Sequence, residues 1–525
     1  MADDRALLEN IMERSGDAWR VKDRWNELYA SATRYSFPER DFFRATPTEN
    51  QGQDKRAGLY DSTLPNKSQE LVSYLISELT PPFKRWARFE PARFIQDDQR
   101  ADLAESLSVV TDKFFAVLRL SNFDMEIGSF WSDFIIGTAA MMAVPGNLNL
   151  GHGPVMFHAA PLSQIAVEEG GFNEVSAVFR KWCLKGRAIR LQWPSDKLDG
   201  IETANPKFNS TEYTVHEATM RSEGDDPGPW TYAVAIHGAG VDADKRLIVR
   251  ERMKRNPWIV GHWSRISGEA YGRGPILNAL PDAKTINVAK ELLLEAAGNA
   301  ISGIWTARSG LVADLDREIR GGMIFEIDED GALQAIPSPG NFNLAQIIFE
   351  ELQQSIADAM LSNKLPMDAG TPRSPTEWMI RGQAAARQIG APFGRTVRGV
   401  ITPMAQLVAD IMADMGLIEP IRIGRGAVDL RVTSSLAQAG DMELAQGAVQ
   451  YLETLRALFP ETAPLVGKQG EAMRYLGEKM GVDYPKLVKS ASEEQELQAQ
   501  AQQLAALYIQ QMQAQMQTQG SVNGG

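Results

Sequence analysis

The sequence predicts an α+β protein, predominantly α, and three observations carry that reading. Apolar residues recur at three- and four-residue spacing from Leu7 to Pro145 and again beyond Pro275. Between them, from Gly153 to Ile266, short β-branched and aromatic runs alternate with turn clusters. Helices do not alternate with these runs, so they read as a mostly antiparallel meander and not as a βαβ series.

The elements follow in order. Leu7, Leu8 and Ile11 open a helical pattern that continues through Trp19, Trp25, Leu28 and Tyr29 and ends near Pro38. A polar loop, Thr46 to Gly58, precedes a helix over Ser68 to Leu79, which Pro81-Pro82 stops by removing backbone donors and crowding the preceding turn. Further helices are predicted over Leu103 to Leu120 and Met125 to Met142, closed by Pro145-Gly146. Strands are predicted at Val155 to His158, Ile165 to Glu168, Val175 to Leu184, Tyr213 to Met220, Thr231 to His237, Leu247 to Met253 and Ile259 to Ile266. Gly170-Gly171 marks a hairpin between the second and third.

Helices resume at Gly274-Pro275, where a proline at the first helical position costs no hydrogen bond. Ala279, Ala283, Ile286, Ala289, Leu293, Ala297 and Ala300 form a stripe of small residues that lets another helix approach closely. That helix would run on the order of 40 Å at 1.5 Å per residue. Trp305 to Pro339 reads as a small unit holding a hairpin, with Met323 to Ile327 and Ala332 to Ile336 flanking the turn Asp328 to Gly331. A second long helix spans Asn343 to Leu361, with Leu344, Ile348, Leu352, Ile356 and Met360 on one face. A Gly/Pro-rich loop, Asn363 to Pro375, leads into helical signals over Thr376 to Met415, interrupted near Gly390 to Pro392. Helices are also predicted over Asp441 to Leu458, Lys468 to Met480 and Glu493 to Gln517. The composition of the last one, Gln and Ala, suits either a helix packed in an oligomer or a disordered tail.

Composition narrows the function. The 525 residues suggest two to four domains, or one large fold with appendages. At 44% hydrophobic and 23% charged, the chain can bury a core. A net charge of −13 argues against a dedicated nucleic-acid binder, but does not exclude a protein that must let DNA slide past without sticking. The single cysteine, Cys183, excludes an intramolecular disulfide and multi-cysteine metal sites, and points to a reducing compartment. The start lacks the pattern of a signal peptide, and the longest near-apolar run, Phe134 to Val144, falls short of the ~18 residues of a membrane span. A soluble protein with no membrane partner is the expectation.

The residues that could carry chemistry have blander readings. His152, His158, His216, His237 and His262 show no metal-ligand spacing and read as scattered core or surface histidines. Cys183 reads as a buried structural thiol, although a hydrolase using it with a histidine is one alternative class. Glu326, Asp328, Asp330 and Gly331 hint at a calcium loop, but Pro337 stands where the glutamate should. Gly272-Arg273-Gly274 and Gly424-Arg425-Gly426 do not continue as phosphate loops. No enzyme, cofactor or metal is expected. The loop with Lys364 and Arg373 suits either a solvated connection or a mobile segment that touches a polyanion.

Several strings, in order, resemble the portal (head-to-tail connector) proteins of short-tailed bacteriophages, the podovirus type. The sharpest is Gly268-Glu269-Ala270-Tyr271-Gly272-Arg273-Gly274-Pro275, leading into the long helix. Others are Thr376-Glu377 with Arg381, the stretch Tyr60 to Arg88 with Pro81-Pro82, Trp86 and Arg88, and the Val175 hairpin with Leu162-Ser163 upstream. The likeness covers about residues 10–415.

The resemblance implies a portal fold with wing, paired-helix stem, small α/β clip and helical crown or barrel. Mapped onto this chain, 1–267 would be the wing, 268–302 the first stem helix, 303–342 the clip and 343–361 the second stem helix. Residues 362–375 would be the tunnel loop, 376–416 a wing or crown helix, and 417–525 the crown and C-terminal barrel with its Gln-rich helix. Asn363, Lys364, Arg373 and Ser374 would face DNA; Glu326, Asp328, Glu329 and Asp330 would meet the motor or tail adaptor. Ala279, Ala283, Ile286, Leu293, Leu344, Ile348, Leu352 and Ile356 would pack the stem. The implied assembly is a homo-oligomeric ring, usually of twelve subunits, at one capsid vertex. Its partners would be a terminase packaging motor, tail adaptor proteins, major capsid and scaffolding proteins, and double-stranded DNA in transit. It would sit in the virion, after assembly in the host cytoplasm. The alternative is a structural adaptor, of a virion or a cytoplasmic assembly, that oligomerises without a channel.

Overall fold

The computed structural model describes most of residues 2–302, the strand segments 305–308, 324–327 and 334–335, residues 342–362, nearly all of 394–458, and 469–479. The chain divides into two compact units, one of residues 1–76, 125–143 and 157–368, the other of 77–124, 144–156 and 369–525.

The first unit is built on a five-stranded antiparallel meander: β4 (Ile165–Glu169), β5 (Val175–Lys185), β6 (Glu212–Arg221), β7 (Trp230–His237) and β8 (Leu247–Met253), in that spatial order. Alternation along the strands gives the sheet two apolar faces. Helix α1 (Ala2–Ser36) covers one, setting Ile11 and Ala18 against Ala166, Phe179, Ala218 and Ala233. On the other, α5 (Gly186–Gln192) and α6 (Lys197–Ala204) bring Ile189, Leu198 and Ile201 against Val215, Val234 and Ile236. These two short helices lie between predicted strands and were not foreseen, because seven or eight residues hold barely two turns of periodicity.

The sheet also buries charge. Arg180 and Glu217, each 3% exposed, face each other at 3.5 Å across β5 and β6. The Arg180 guanidinium stacks 3.7 Å from the Trp182 ring centroid and donates to Gln164 Oε1, while Trp182 Nε1 donates to Glu217 at 2.9 Å. Burial pushes the Glu217 carboxyl up, against the opposing pull of Arg180 and the Trp182 hydrogen bond, and pushes Arg180 down. Cys183, opposite Thr214 on the same sheet, is half-buried and not buried as expected, since the buried run of β5, Ala177 to Arg180, ends before it.

The expected helix Met125 to Met142 is shorter and becomes a strand. Helix α4 (Phe123–Ile136) stops at Gly137, and β2 (Thr138–Pro145) pairs antiparallel with β9 (Trp258–His262). At the break a Cβ on residue 137 would sit 2.2 Å from the Gly272 carbonyl oxygen, so only glycine fits there. Beyond it, pairing with β9 holds Thr138 to Met142 extended.

Helix α2 (Thr63–Leu79) begins in the first unit and ends in the second. In the second unit β1 (Ala87–Pro91) pairs antiparallel with β13 (Val428–Val432), joining residues over three hundred positions apart. Neither strand was read from the sequence; each is five residues long and borders stretches of helical periodicity. Trp86 packs its ring against Phe114, Phe115 and Phe123, and α3 (Asp97–Leu120) lies over β1, with Thr111 Oγ1 accepting from Phe89 N. A π-helical turn, Val397–Ile401, enters α9 (Thr402–Asp414), whose Met404, Val408 and Met412 are buried. Helices α10 (Ser435–Leu458) and α11 (Gln469–Lys479) follow. They leave Leu444, Tyr451, Leu458, Met473 and Tyr475 exposed.

Candidate functional site: the paired long helices

The string Gly268 to Pro275 is a docking junction that launches the first long helix. Gly272 N donates to Thr138 Oγ1 at 2.8 Å, Tyr29 OH donates to Gly272 O at 2.7 Å, and Gly274 N donates to Ile136 O at 2.9 Å. Gly274 has no room for a side chain, as a Cβ would lie 1.9 Å from Ile135 O. Tyr271 is fully buried, and its hydroxyl accepts from Val167 N at 3.1 Å on the outer edge of β4. Arg273 pairs with Glu269 and lies 4.9 Å over the Trp25 ring. Glu269 and the run Tyr271 to Gly274 thus each have a backbone or packing reason. His262 Nε2 meets Ala270 O at 3.2 Å, and burial holds its imidazole at about 4, hence neutral at physiological pH.

Lys22 of α1 lies beneath this junction. It is fully buried, with Nζ 4.7 Å from the Tyr29 ring centroid and 4.6 Å from that of Tyr271. Among the described residues Nζ has no hydrogen-bond partner. Burial lowers its ammonium to about 7, against the pull of Asp133 and Asp23. Asp133 itself accepts from Arg40 Nη2 at 3.1 Å and from Leu162 N at 3.0 Å.

The long helices are α7 (Pro275–Ser302) and α8 (Phe342–Ala359). They run antiparallel: Ser355 Oγ, late in α8, donates to Asp282 Oδ2, early in α7, at 2.6 Å. Their expected packing residues divide along the length. Ala279, Ala283, Ile286 and Ile356 are buried, whereas Leu293 and Leu352 are half-buried and Ile348 is 44% exposed. Leu344 falls within α8. The exposed stretch carries further apolar residues that the stripe omitted: Val288 (51%), Leu292 (60%), Leu294 (58%) and Ile347 (62%). Acidic Glu291, Glu295, Glu350 and Glu351 are exposed beside them.

Sequence reasoning also missed Asn287, a buried polar residue inside α7. Its Oδ1 accepts from Tyr60 N at 2.7 Å and Asp61 N at 3.3 Å, and its Nδ2 donates to Gly58 O at 3.1 Å. Lys290, one turn on, pairs with the buried carboxylate of Asp61. The available signal was weak, an Asn and a Lys three apart in a helix that also carries Asn278, Asp282, Lys284 and Glu291. The end of α8 is held too, where Ser362 Oγ donates to Glu70 Oε1 and accepts from Lys67 Nζ, both at 2.7 Å. Leu361 makes that turn at φ 61°, the left-handed region, which costs a β-branched residue most. Leu361→Ile should therefore lower stability by about 1–2 kcal/mol, read as a lower urea midpoint, while Leu361→Gly should hold it.

Between the long helices three short strands form a sheet in the order β11 (Ile324–Ile327), β10 (Trp305–Arg308), β12 (Gln334–Ala335). The expected hairpin is corrected, since β10 lies between its two arms, parallel to β11 and antiparallel to β12. This central strand, four residues of Trp, Thr, Ala and Arg, carries too little alternation to have been seen. Glu326 sits in β11 opposite Ala307. Asp328, Glu329 and Asp330, like Asn363, Lys364, Arg373, Ser374 and the Thr376, Glu377, Arg381 string, lie outside the described residues. So does the helix expected over Glu493 to Gln517. No group of three or more metal-ligating side chains stands together among the described residues, and no described helix is long and apolar enough to cross a membrane.

No curated protein matches the chain. Among solved structures, the neck of an empty GTA particle is similar at 13% identity and a TM-score of 0.33, over 79% of this chain and 94% of that one. The neck of a native GTA particle computed with C12 symmetry gives 13% and 0.32, over 75% and 87%. The virion of a native gene transfer agent particle gives 13% and 0.33, over 80% and 91%. These likenesses are too slight to carry a functional argument. The sequence profile of a structural family does match, from residue 8 to residue 488, nearly the whole chain. The chain belongs to the bacteriophage head to tail connecting protein family.

Proposed function

We propose that this protein is a phage portal, the subunit of a ring at one capsid vertex through which double-stranded DNA is packaged and ejected and to which the tail attaches. The observation that carries the reading is the exposed apolar stretch of the antiparallel helix pair: Val288, Leu292, Leu294, Ile347 and Ile348 meet water in the single chain. Copies arranged around an axis would cover these residues, with a gain of about 25 cal/mol for each Å² of apolar surface removed from water. The acidic side chains alongside suit a bore that must not grip phosphates, as does the net charge of −13.

On this reading α7 and α8 are the stem and residues 303–342 the clip, whose Glu326, Asp328, Glu329 and Asp330 meet the terminase motor or the tail adaptor. The wing comprises residues 1–267, joined by the helix within 376–416, and the crown and barrel lie in 417–525. The loop 362–375, with Asn363, Lys364, Arg373 and Ser374, approaches DNA. The ring has twelve subunits, contacts capsid and scaffolding proteins, and is assembled in the host cytoplasm for the virion.

Electron micrographs of the purified chain should show rings with a central hole; a uniform population of monomers, or closed assemblies without a pore, overturns the proposal. Leu292→Glu combined with Ile347→Glu should abolish the rings and leave a folded monomer with an unchanged circular dichroism spectrum. Intact rings from that variant would remove the helix pair from the subunit contact.

A further inference from the structure

The strap before α2 is tied to α7, and the first two turns of α2 are tied to the turn just beyond α8. At one end, Asp61 Oδ1 accepts from Thr63 N at 2.8 Å at the start of α2, and its other oxygen holds Lys290 of α7. The adjoining backbone of Gly58, Tyr60 and Asp61 is tied to Asn287, and Tyr60 OH donates to Glu291 Oε1 at 3.1 Å. At the other end, Lys67 and Glu70 pair at 2.9 Å and share Ser362, just beyond α8. Asp61, Asn287 and Ser362 are all buried. Satisfied polar links of this kind fix geometry more strictly than apolar packing, because a shift of an ångström leaves a buried donor or acceptor unpaired. The α7 link falls where that helix changes character, since Ile286 is buried and Val288 is 51% exposed.

We infer that residues 61–70 form a bracket that positions the two long helices relative to each other, so that loosening its grip on one loosens the other. Asp61, Asn287, Lys67, Glu70 and Ser362 are its positioning residues. The inference deepens the portal reading, because the helices it positions are the proposed stem: any tilt of one stem helix would pass to its partner through α2. The bracket itself is a property of the single chain and is tested there.

Hydrogen–deuterium exchange of the full chain provides the test. Ser362→Ala removes one hydroxyl at the end of α8, far in sequence from α7. It should speed exchange about fivefold in the strap 58–61 and in α7 residues 288–298, the response expected for losing one buried hydrogen bond. Ser362→Thr keeps the hydroxyl and should restore the rate. In the reverse direction, Asn287→Ala should speed exchange over 356–362. Faster exchange confined to α8 and residues 67–70 overturns the bracket. So does faster α7 exchange with an unchanged strap, since coupling would then run through direct helix packing. Absence of rings from the native protein would overturn the portal reading and leave these exchange results standing.

Discussion

Glu217→Ala is expected to destabilise the protein by about 3–5 kcal/mol, read as a large fall in the urea midpoint of the transition that unfolds the five-stranded sheet. The carboxylate is 3% exposed and serves two buried donors, the Arg180 guanidinium and Trp182 Nε1. Alanine leaves the guanidinium charged in a site closed to water, with Gln164 Oε1 and the face of the Trp182 ring as its remaining partners among the described residues. The large effect comes from stranding a charge, not from losing a strong bond. At 3.5 Å the pair is loose, and the upward push on the Glu217 carboxyl shows that desolvation outweighs attraction. Replacing both partners, Arg180→Met with Glu217→Leu, should accordingly recover most of the loss. A double variant as unstable as Glu217→Ala would mean that the pair itself, and not its stranded half, supplies the stability.

Lys22→Met should have the opposite sign. The ammonium falls from the ordinary 10.5 to about 7 in the folded chain, so between those values the unfolded chain holds more protons than the folded one. Lys22 therefore costs stability fully below about pH 7 and ceases to do so above about 10.5. Methionine fills a similar volume without the charge. At pH 6 the variant should be more stable by on the order of 3 kcal/mol, after allowing for the attraction of the ammonium to the two tyrosine rings. The gap should close as pH rises toward 10. Parallel thermal-melting curves for the two proteins from pH 6 to 10 check this; a gap that stays constant with pH would show that Lys22 does not titrate in that range.

Much of the fold was legible because local pattern and tertiary structure agree. The β4–β5 hairpin, the meander to β8 and both long helices follow from alternation, from Gly170-Gly171 and from apolar spacing. Reading failed where a partner remote in sequence decides the local form. The chain after Gly137 is a strand because Trp258–His262 pairs with it, and Ala87–Pro91 is a strand because Val428–Val432 lies beside it. At the candidate site the stripe Ala279, Ala283, Ile286 was read for what it buries, and burial follows from spacing. Asn287 and Ser362 were invisible for a different reason: their partners in 58–70 become neighbours only through the fold. Exposure of Val288, Leu292 and Ile347 likewise depends on where the buried portion of each helix ends, and periodicity does not mark that point.

The Tyr271 hydroxyl on Val167 N has a bearing on how the chain matures during synthesis. On β4, an outer strand of the meander, Val167 N is taken up by a residue 104 positions downstream. A ribosome that has just released β4 thus exposes a raw border of the sheet, open to pairing with another nascent chain, until Tyr271 emerges. The same tyrosine stands four residues before α7, so the seal arrives together with the start of the first long helix.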